Sequence, residues 1–167
     1  MDVKEEILKL EKINGVFDYL LVKGEIPVLI TAPHTMEQVR SDGTIKYSEP
    51  FTKAIALYLN KVCSSSYLIK IKDTGKDSNR DNHDEFKEDL VNFVKDNNIK
   101  LVIDLHGANH NRDFDVEFGT MDNLTADIST IKELEEAFVH NGIVNIEHNS
   151  PFKGGAITQY LYNIKDV

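Results

Sequence analysis

The chain has 167 residues, 41% of them hydrophobic and 28% charged, with a formal net charge of -9. That balance predicts a single globular domain, residues 1–167, able to bury a core, and leaves no basic field for a nucleic acid backbone. No apolar run approaches the ~20 residues that cross a bilayer, and the acidic amphipathic N-terminal stretch does not resemble a signal peptide. The lone Cys63 excludes an intramolecular disulfide and fits a reducing, cytoplasmic setting, with packing at a helix end as its expected role.

Val3, Ile7, Leu8 and Leu10 recur at helical spacing and predict a short amphipathic helix from Asp2 to Ile13, closed by Asn14-Gly15. Phe17 to Val22 reads as an edge strand, and Pro27 to Ala32 as a buried strand running into Pro33-His34. Thr35 to Tyr47 is polar, contains the turn pair Asp42-Gly43 and reads as an ordered loop. Ser48-Glu49-Pro50 opens a helix whose expected apolar face is Phe51, Ile55, Tyr58, Leu59 and Val62.

Tyr67 to Ile71 is the next strand, followed by a polar loop from Lys72 to Asp84. A helix over about Glu85 to Asp96 buries Phe86, Leu90, Phe93 and Val94. The apolar run Leu101-Val102-Ile103-Asp104-Leu105, closed by His106-Gly107, predicts a central strand. Further on, strands are expected at Phe114 to Phe118 and Ile143 to Ile146. A helix on Ile128, Ile131, Leu134 and Phe138 stands between them, and a short helix, Ala156 to Tyr162, comes last. Continuous apolar strands alternating with helices argue for an α/β fold with a largely parallel, mixed sheet between helical layers.

His34 and His106 each end a strand of that sheet, which brings two imidazoles to one rim, where open α/β sheets bind ligands. Asp104 lies two residues before His106, on the same strand face, and is placed to orient its ring. Glu37 follows His34 in the spacing His-x-x-Glu, and two nitrogens with one carboxylate oxygen suit zinc with a fourth position open for water. Glu49 is the rival carboxylate, its other reading being a charge at a helix N-terminus. In the loop Asp77-Ser78-Asn79-Arg80-Asp81, Arg80 offers a planar fork for a carboxylate and Asn79 a donor and an acceptor. His83, His110, His140 and His148 lie in polar surroundings and read as surface residues.

In their order along the chain, His34-x-x-Glu37, Asp77-Ser78-Asn79-Arg80 and Asp104-Leu105-His106 resemble the zinc-dependent carboxypeptidase, aspartoacylase and succinylglutamate desuccinylase superfamily. Pro33-His34, Asp104-Leu105-His106-Gly107 and Asn149-Ser150-Pro151-Phe152-Lys153-Gly154-Gly155 are more similar to its N-formylglutamate amidohydrolase branch. The resemblance spans about Pro27 to Tyr160. It implies a three-layer α/β/α fold of the phosphorylase/hydrolase-like kind, with one zinc on His34, Glu37 and His106. It further implies hydrolysis of a small N-acyl amino acid or short peptide whose carboxylate is held by Asn79 and Arg80.

The same resemblance calls for one more strand bearing a glutamate, the general base, beyond the last helix, where this sequence ends at Val167. Glu117 is the expected substitute, its other reading being an outward-facing strand residue. A chain lacking that strand is expected either to dimerise through the open edge or to be less stable than an extended version, and to hydrolyse poorly. The alternative reading is therefore a non-catalytic metal- or carboxylate-binding protein on the same scaffold. Lys153-Gly154-Gly155 reads either as a backbone approach to substrate or as a plain loop.

Overall fold

Strands and helices alternate along the chain in a computed structural model that describes residues 2–81 and 84–164. In order they are α1 (Val3–Leu10), β1 (Tyr19–Val22), β2 (Val28–Ala32), β3 (Gln38–Val39), β4 (Ile45–Lys46), α2 (Thr52–Cys63) and β5 (Ser66–Lys70). There follow α3 (Glu85–Asp96), β6 (Leu101–Asp104), β7 (Val116–Phe118), α4 (Ile128–His140), β8 (Ile146–His148) and α5 (Ala156–Asn163). They group into two compact units, Met1–Ala108 and Asn109–Asp166. Among the described residues no helix is long and apolar enough to cross a membrane.

The first unit holds a sheet in the order β1-β5-β2-β6, in which β2 runs parallel to both neighbours and β1 is the antiparallel edge. Strand register sorts its two faces. Leu20, Tyr67, Ile69, Ile30, Ala32 and Ile103 share one face and pack with Ala56 and Leu57 of α2. Tyr19, Leu68, Lys70, Thr31 and Asp104 share the other, where the Tyr19 ring meets Phe86 of α3 edge-on at 5.8 Å. Helices on both faces of a mostly parallel sheet make an α/β fold in layers, as the alternation of elements predicts. Asp2 caps α1 by accepting from the Lys4 N–H at 3.0 Å, and Asp84 caps α3 through the Phe86 N–H at 3.3 Å.

Several elements differ from expectation. The strand leading to His106 is not central: β6 ends the hydrogen-bonded order, and β2, which leads to His34, lies inside it. The expected loop at 35–47 contains the antiparallel pair β3 and β4. In α2 the buried apolar residues are Ala54, Ala56 and Leu57, and Leu59 packs against the same core as expected, while Ile55, Val62 and the N-cap Phe51 are exposed, because the small alanines let the helix approach the sheet closely. Cys63, at the end of α2, is exposed and fills no packing role.

In the second unit β7 and β8 pair in parallel around α4, with Glu117 opposite Glu147 and Phe118 opposite His148. The Phe118 and Phe138 rings lie 5.9 Å apart, which seats α4 on that face. The last strand covers Ile146–His148 instead of 143–146. In the Lys153-Gly154-Gly155 stretch, Gly154 (φ +116°) lies so near Gly119 that a Cβ on Gly119 would come within 2.7 Å of the Gly154 nitrogen. These glycines thus serve the approach of one backbone to another. His110, His140 and His148 are exposed as expected, whereas His83 and the last residues, 165–167, lie outside the described residues.

Candidate metal centre

The centre begins where β2 leaves the sheet. Pro33-His34 turns the chain off the end of β2, and β3 and β4 fold it back on itself, with Gln38 opposite Lys46 and Val39 opposite Ile45. The hairpin returns Glu49 to His34, whose carbonyl accepts from the Glu49 N–H at 2.8 Å. On the other side, Thr31 of β2 is in register with Asp104 of β6, so the residue two beyond Asp104 arrives beside the residue three beyond Thr31. The His34 and His106 rings accordingly stand 5.0 Å apart between centroids.

Glu49 joins them. Its Oε1 lies 3.0 Å from His34 Nδ1 and its Oε2 3.0 Å from His106 Nδ1. One ligand atom from each of His34, Glu49 and His106 falls within 4.8 Å of the other two. The opposite ring nitrogens are also taken by carboxylates: His34 Nε2 is 2.7 Å from Asp77 Oδ1, and His106 Nε2 is 3.0 Å from Asp104 Oδ2. A continuous run of polar contacts therefore passes from Asp77 through His34, Glu49 and His106 to Asp104.

The aspartates are themselves held. Asp77 accepts from Arg40 Nε at 2.8 Å and from the Asn79 N–H at 3.0 Å, and Asp104 accepts from the Thr31 hydroxyl at 2.6 Å. Glu49 takes further bonds from Lys46 Nζ at 2.7 Å and from the Gly107 N–H at 3.0 Å. Gly107 eases that approach, since a Cβ there would sit 3.1 Å from Glu49 Cβ, a tight contact that Glu49 would have to yield to.

These contacts govern protonation. Burial alone would raise the Glu49 carboxyl, but His106, His34 and Lys46 outweigh it and hold it well below the usual carboxylate range. Burial acts on Asp77 in the same sense and is overcome by His34, Arg40 and the Asn79 N–H. For His106 burial would lower the pKa, yet Asp104 and Glu49 raise it to about 10 in the metal-free chain.

The donor set passes a chemical test for a metal. An imidazole with a carboxylate at each nitrogen donates from both only as the imidazolium, whereas a cation in place of the Nδ1 proton satisfies the same geometry. Both Nδ1 atoms face the shared Glu49, and both Nε2 atoms hold a carboxylate, the arrangement that fixes the tautomer and orientation of a ligating histidine.

His34 and His106 are thus brought together as expected, and Asp104 orients His106. Glu37 is not in the cluster. It is exposed, because its neighbour Gln38 turns inward, fully buried, and bonds the Pro33 carbonyl at 2.8 Å and Lys70 Nζ at 3.0 Å. Glu49, the rival carboxylate, occupies the position instead. The alternating stretch around Asp42-Gly43, with Val39 and Ile45 flanking it, was the signal for the hairpin that brings Glu49 in. Asp77 stood in the recognised motif without the role it has here, as partner of His34. Arg80 and Asn79 follow it on the same loop, the Arg80 N–H bonding the Asp77 carbonyl at 2.8 Å. The Arg80 guanidinium is half-exposed and pairs with Asp42 at 2.9 Å.

Glu117 belongs to the second unit. Its Oε1 accepts from the Phe152 N–H at 2.6 Å, and its Oε2 is buried with no hydrogen-bond partner among the described residues.

No family model matches the sequence, and no curated protein or solved structure is significantly similar to it. The geometry of the cluster therefore carries the functional reading.

Proposed function

We propose that the chain is a zinc-dependent amidohydrolase acting on a small N-acyl amino acid of the N-formylglutamate kind. The supporting observation is the convergence of His34 Nδ1 and His106 Nδ1 on Glu49, with each Nε2 held by an aspartate. His34, Glu49 and His106 would hold the ion, which when bound supplies a Lewis acid for the amide carbonyl and a water of lowered pKa.

The protein's own residues set up the rest. Asp77 and Asp104 keep both rings aimed and make them stronger donors to a cation. Lys46 and the Gly107 N–H hold Glu49 between the rings, so little reorganisation is needed to gather the ligands. Arg80, one loop residue from Asn79 and tied by its backbone to Asp77, offers two parallel N–H donors to a substrate carboxylate at the solvent edge of the unit. An acidic amino acid carrying an N-acyl group supplies both the carboxylate for Arg80 and the amide to be cleaved.

The test is metal content and turnover on the same preparation. One zinc per chain is expected, with hydrolysis of N-formyl-L-glutamate that disappears on chelation and returns with zinc. A chain that takes up no metal under any loading sinks the proposal. Zinc binding without turnover of any N-acyl amino acid would replace it by the non-catalytic binding reading.

A further inference from the structure

Arg80, the residue assigned above to a substrate carboxylate, already holds one. Its Nη2 lies 2.9 Å from Oδ2 of Asp42, at the tip of the hairpin formed by β3 and β4. The Asp42 carboxylate is oriented for this contact. Its other oxygen, Oδ1, accepts from the Thr44 hydroxyl at 2.6 Å and the Thr44 N–H at 3.0 Å, which leaves Oδ2 for the guanidinium. Those two bonds, with Arg80 in support, hold Asp42 well below the usual carboxylate range, so it is charged at neutral pH.

The hairpin that carries Asp42 is pinned to the centre along its length. Arg40 reaches Asp77, Lys46 reaches Glu49, and the Val39 N–H bonds Asp73 Oδ2 at 2.9 Å. These attachments fix where Asp42 stands. The pair it makes with Arg80 is of another kind: both side chains are more than two-fifths exposed, and an ion pair in water of that sort is weak and exchanges readily. A charged group is thus set at the proposed carboxylate anchor by rigid supports, but held there by an interaction that a ligand can outcompete.

We propose that Asp42 is an internal stand-in for the substrate carboxylate, occupying Arg80 until an acidic ligand displaces it. The inference rests on the reading of Arg80 as the carboxylate anchor and adds a selectivity consequence. A ligand with a carboxylate replaces the contact it breaks. One without it leaves Asp42 on Arg80 and gains nothing from the anchor. Asp42 therefore lowers affinity for acidic ligands by a modest factor while keeping the guanidinium oriented and neutralised in their absence.

The experiment is calorimetric titration of the zinc-loaded full chain with N-acetyl-L-glutamate and with its α,γ-diamide, which carries no carboxylate. Asp42→Asn, which keeps an oxygen for Thr44, should tighten N-acetyl-L-glutamate by about two- to fivefold, the fold-change equivalent to losing an exposed ion pair. It should leave the diamide unchanged and have no effect on either ligand in an Arg80→Ala background. Thr44→Val, which frees the Asp42 carboxylate to swing, should give part of the same gain. If Arg80→Ala weakens N-acetyl-L-glutamate but Asp42→Asn does not tighten it, Asp42 is no competitor and this inference falls alone. If Arg80→Ala changes nothing, the assignment of Arg80 fails first and takes the inference with it.

Discussion

Each imidazole of the centre lies between Glu49 and an aspartate, but the His34 arm is closed inside the protein while the His106 arm reaches its edge. The His34 side chain is 4% exposed and that of His106 30%. Asp77 has Arg40, the Asn79 N–H and His34 as partners, whereas Asp104 has the Thr31 hydroxyl and His106. The two arms offer a metal the same chemistry and differ in what surrounds it. On the buried arm a lost partner leaves charge in a dry place, and on the edge arm water can take the vacancy. Function should therefore depend on both arms, and folding mainly on one.

The largest effect that separates the arms is expected from the histidines. His34→Ala and His106→Ala should each abolish tight zinc binding, since two remaining ligands hold the ion poorly. In the chelated proteins His34→Ala should also cost about 3–5 kcal/mol of stability by stranding Asp77 and Glu49, as when one partner is removed from a buried pair. His106→Ala should cost less, because its ring is 30% exposed and water can reach the space it leaves beside Asp104 and Glu49. Urea unfolding measures both, and equal losses would erase the distinction between the arms.

A smaller effect is expected at the orienting aspartates. Asp77→Asn and Asp104→Asn should each weaken zinc by about 10–100-fold, the usual range for a partner behind a ligating histidine. Asp77→Asn should lie toward the upper end because it disturbs Arg40 as well. Competition against a chromophoric chelator reads this, and a wild-type affinity in Asp77→Asn would show that His34 needs no carboxylate behind it.

A further effect is one of pH, and it belongs to the edge arm without metal. The folded pKa of His106, about 10, lies above the ordinary imidazole value of ~6.5. Its stabilising contribution is thus full below about pH 6.5 and is lost as the pH rises toward 10. Glu49 and Asp77 behave in the opposite sense: their folded values are depressed, so their contribution is present above the ordinary carboxylate range and is lost on acidification. The chelated chain should lose stability gradually between pH 6.5 and 10, and His106→Ala should flatten that limb relative to wild type. An unchanged limb in the mutant would assign the slope to another group.

Much of the first unit was legible in the sequence. The helix over Glu85–Asp96 and the cores of β2, β5 and β6 follow from hydrophobic period and from apolar runs bounded by turns. The meeting of His34 with His106 follows once both are placed at the same end of neighbouring parallel strands. The pairing of Asp104 with His106 is local, two residues apart on one strand.

What tertiary structure decided is which carboxylate completes the pair and which face of α2 is buried. His-x-x-Glu pointed to Glu37 because three residues are close in any conformation. The side to which Glu37 points was settled by Gln38, drawn inward to Lys70 on a strand 32 residues away. Glu49 is separated from His34 by 15 residues and reaches it only because β3 and β4 pair and close the intervening chain. Phe51, Ile55 and Val62 have the spacing of a buried face, but the sheet accepts the alanines, whose size permits close approach. Local spacing determines which side of an element a residue faces. Which side chains then meet is determined by the pairing of distant segments, and no single stretch of sequence contains that pairing.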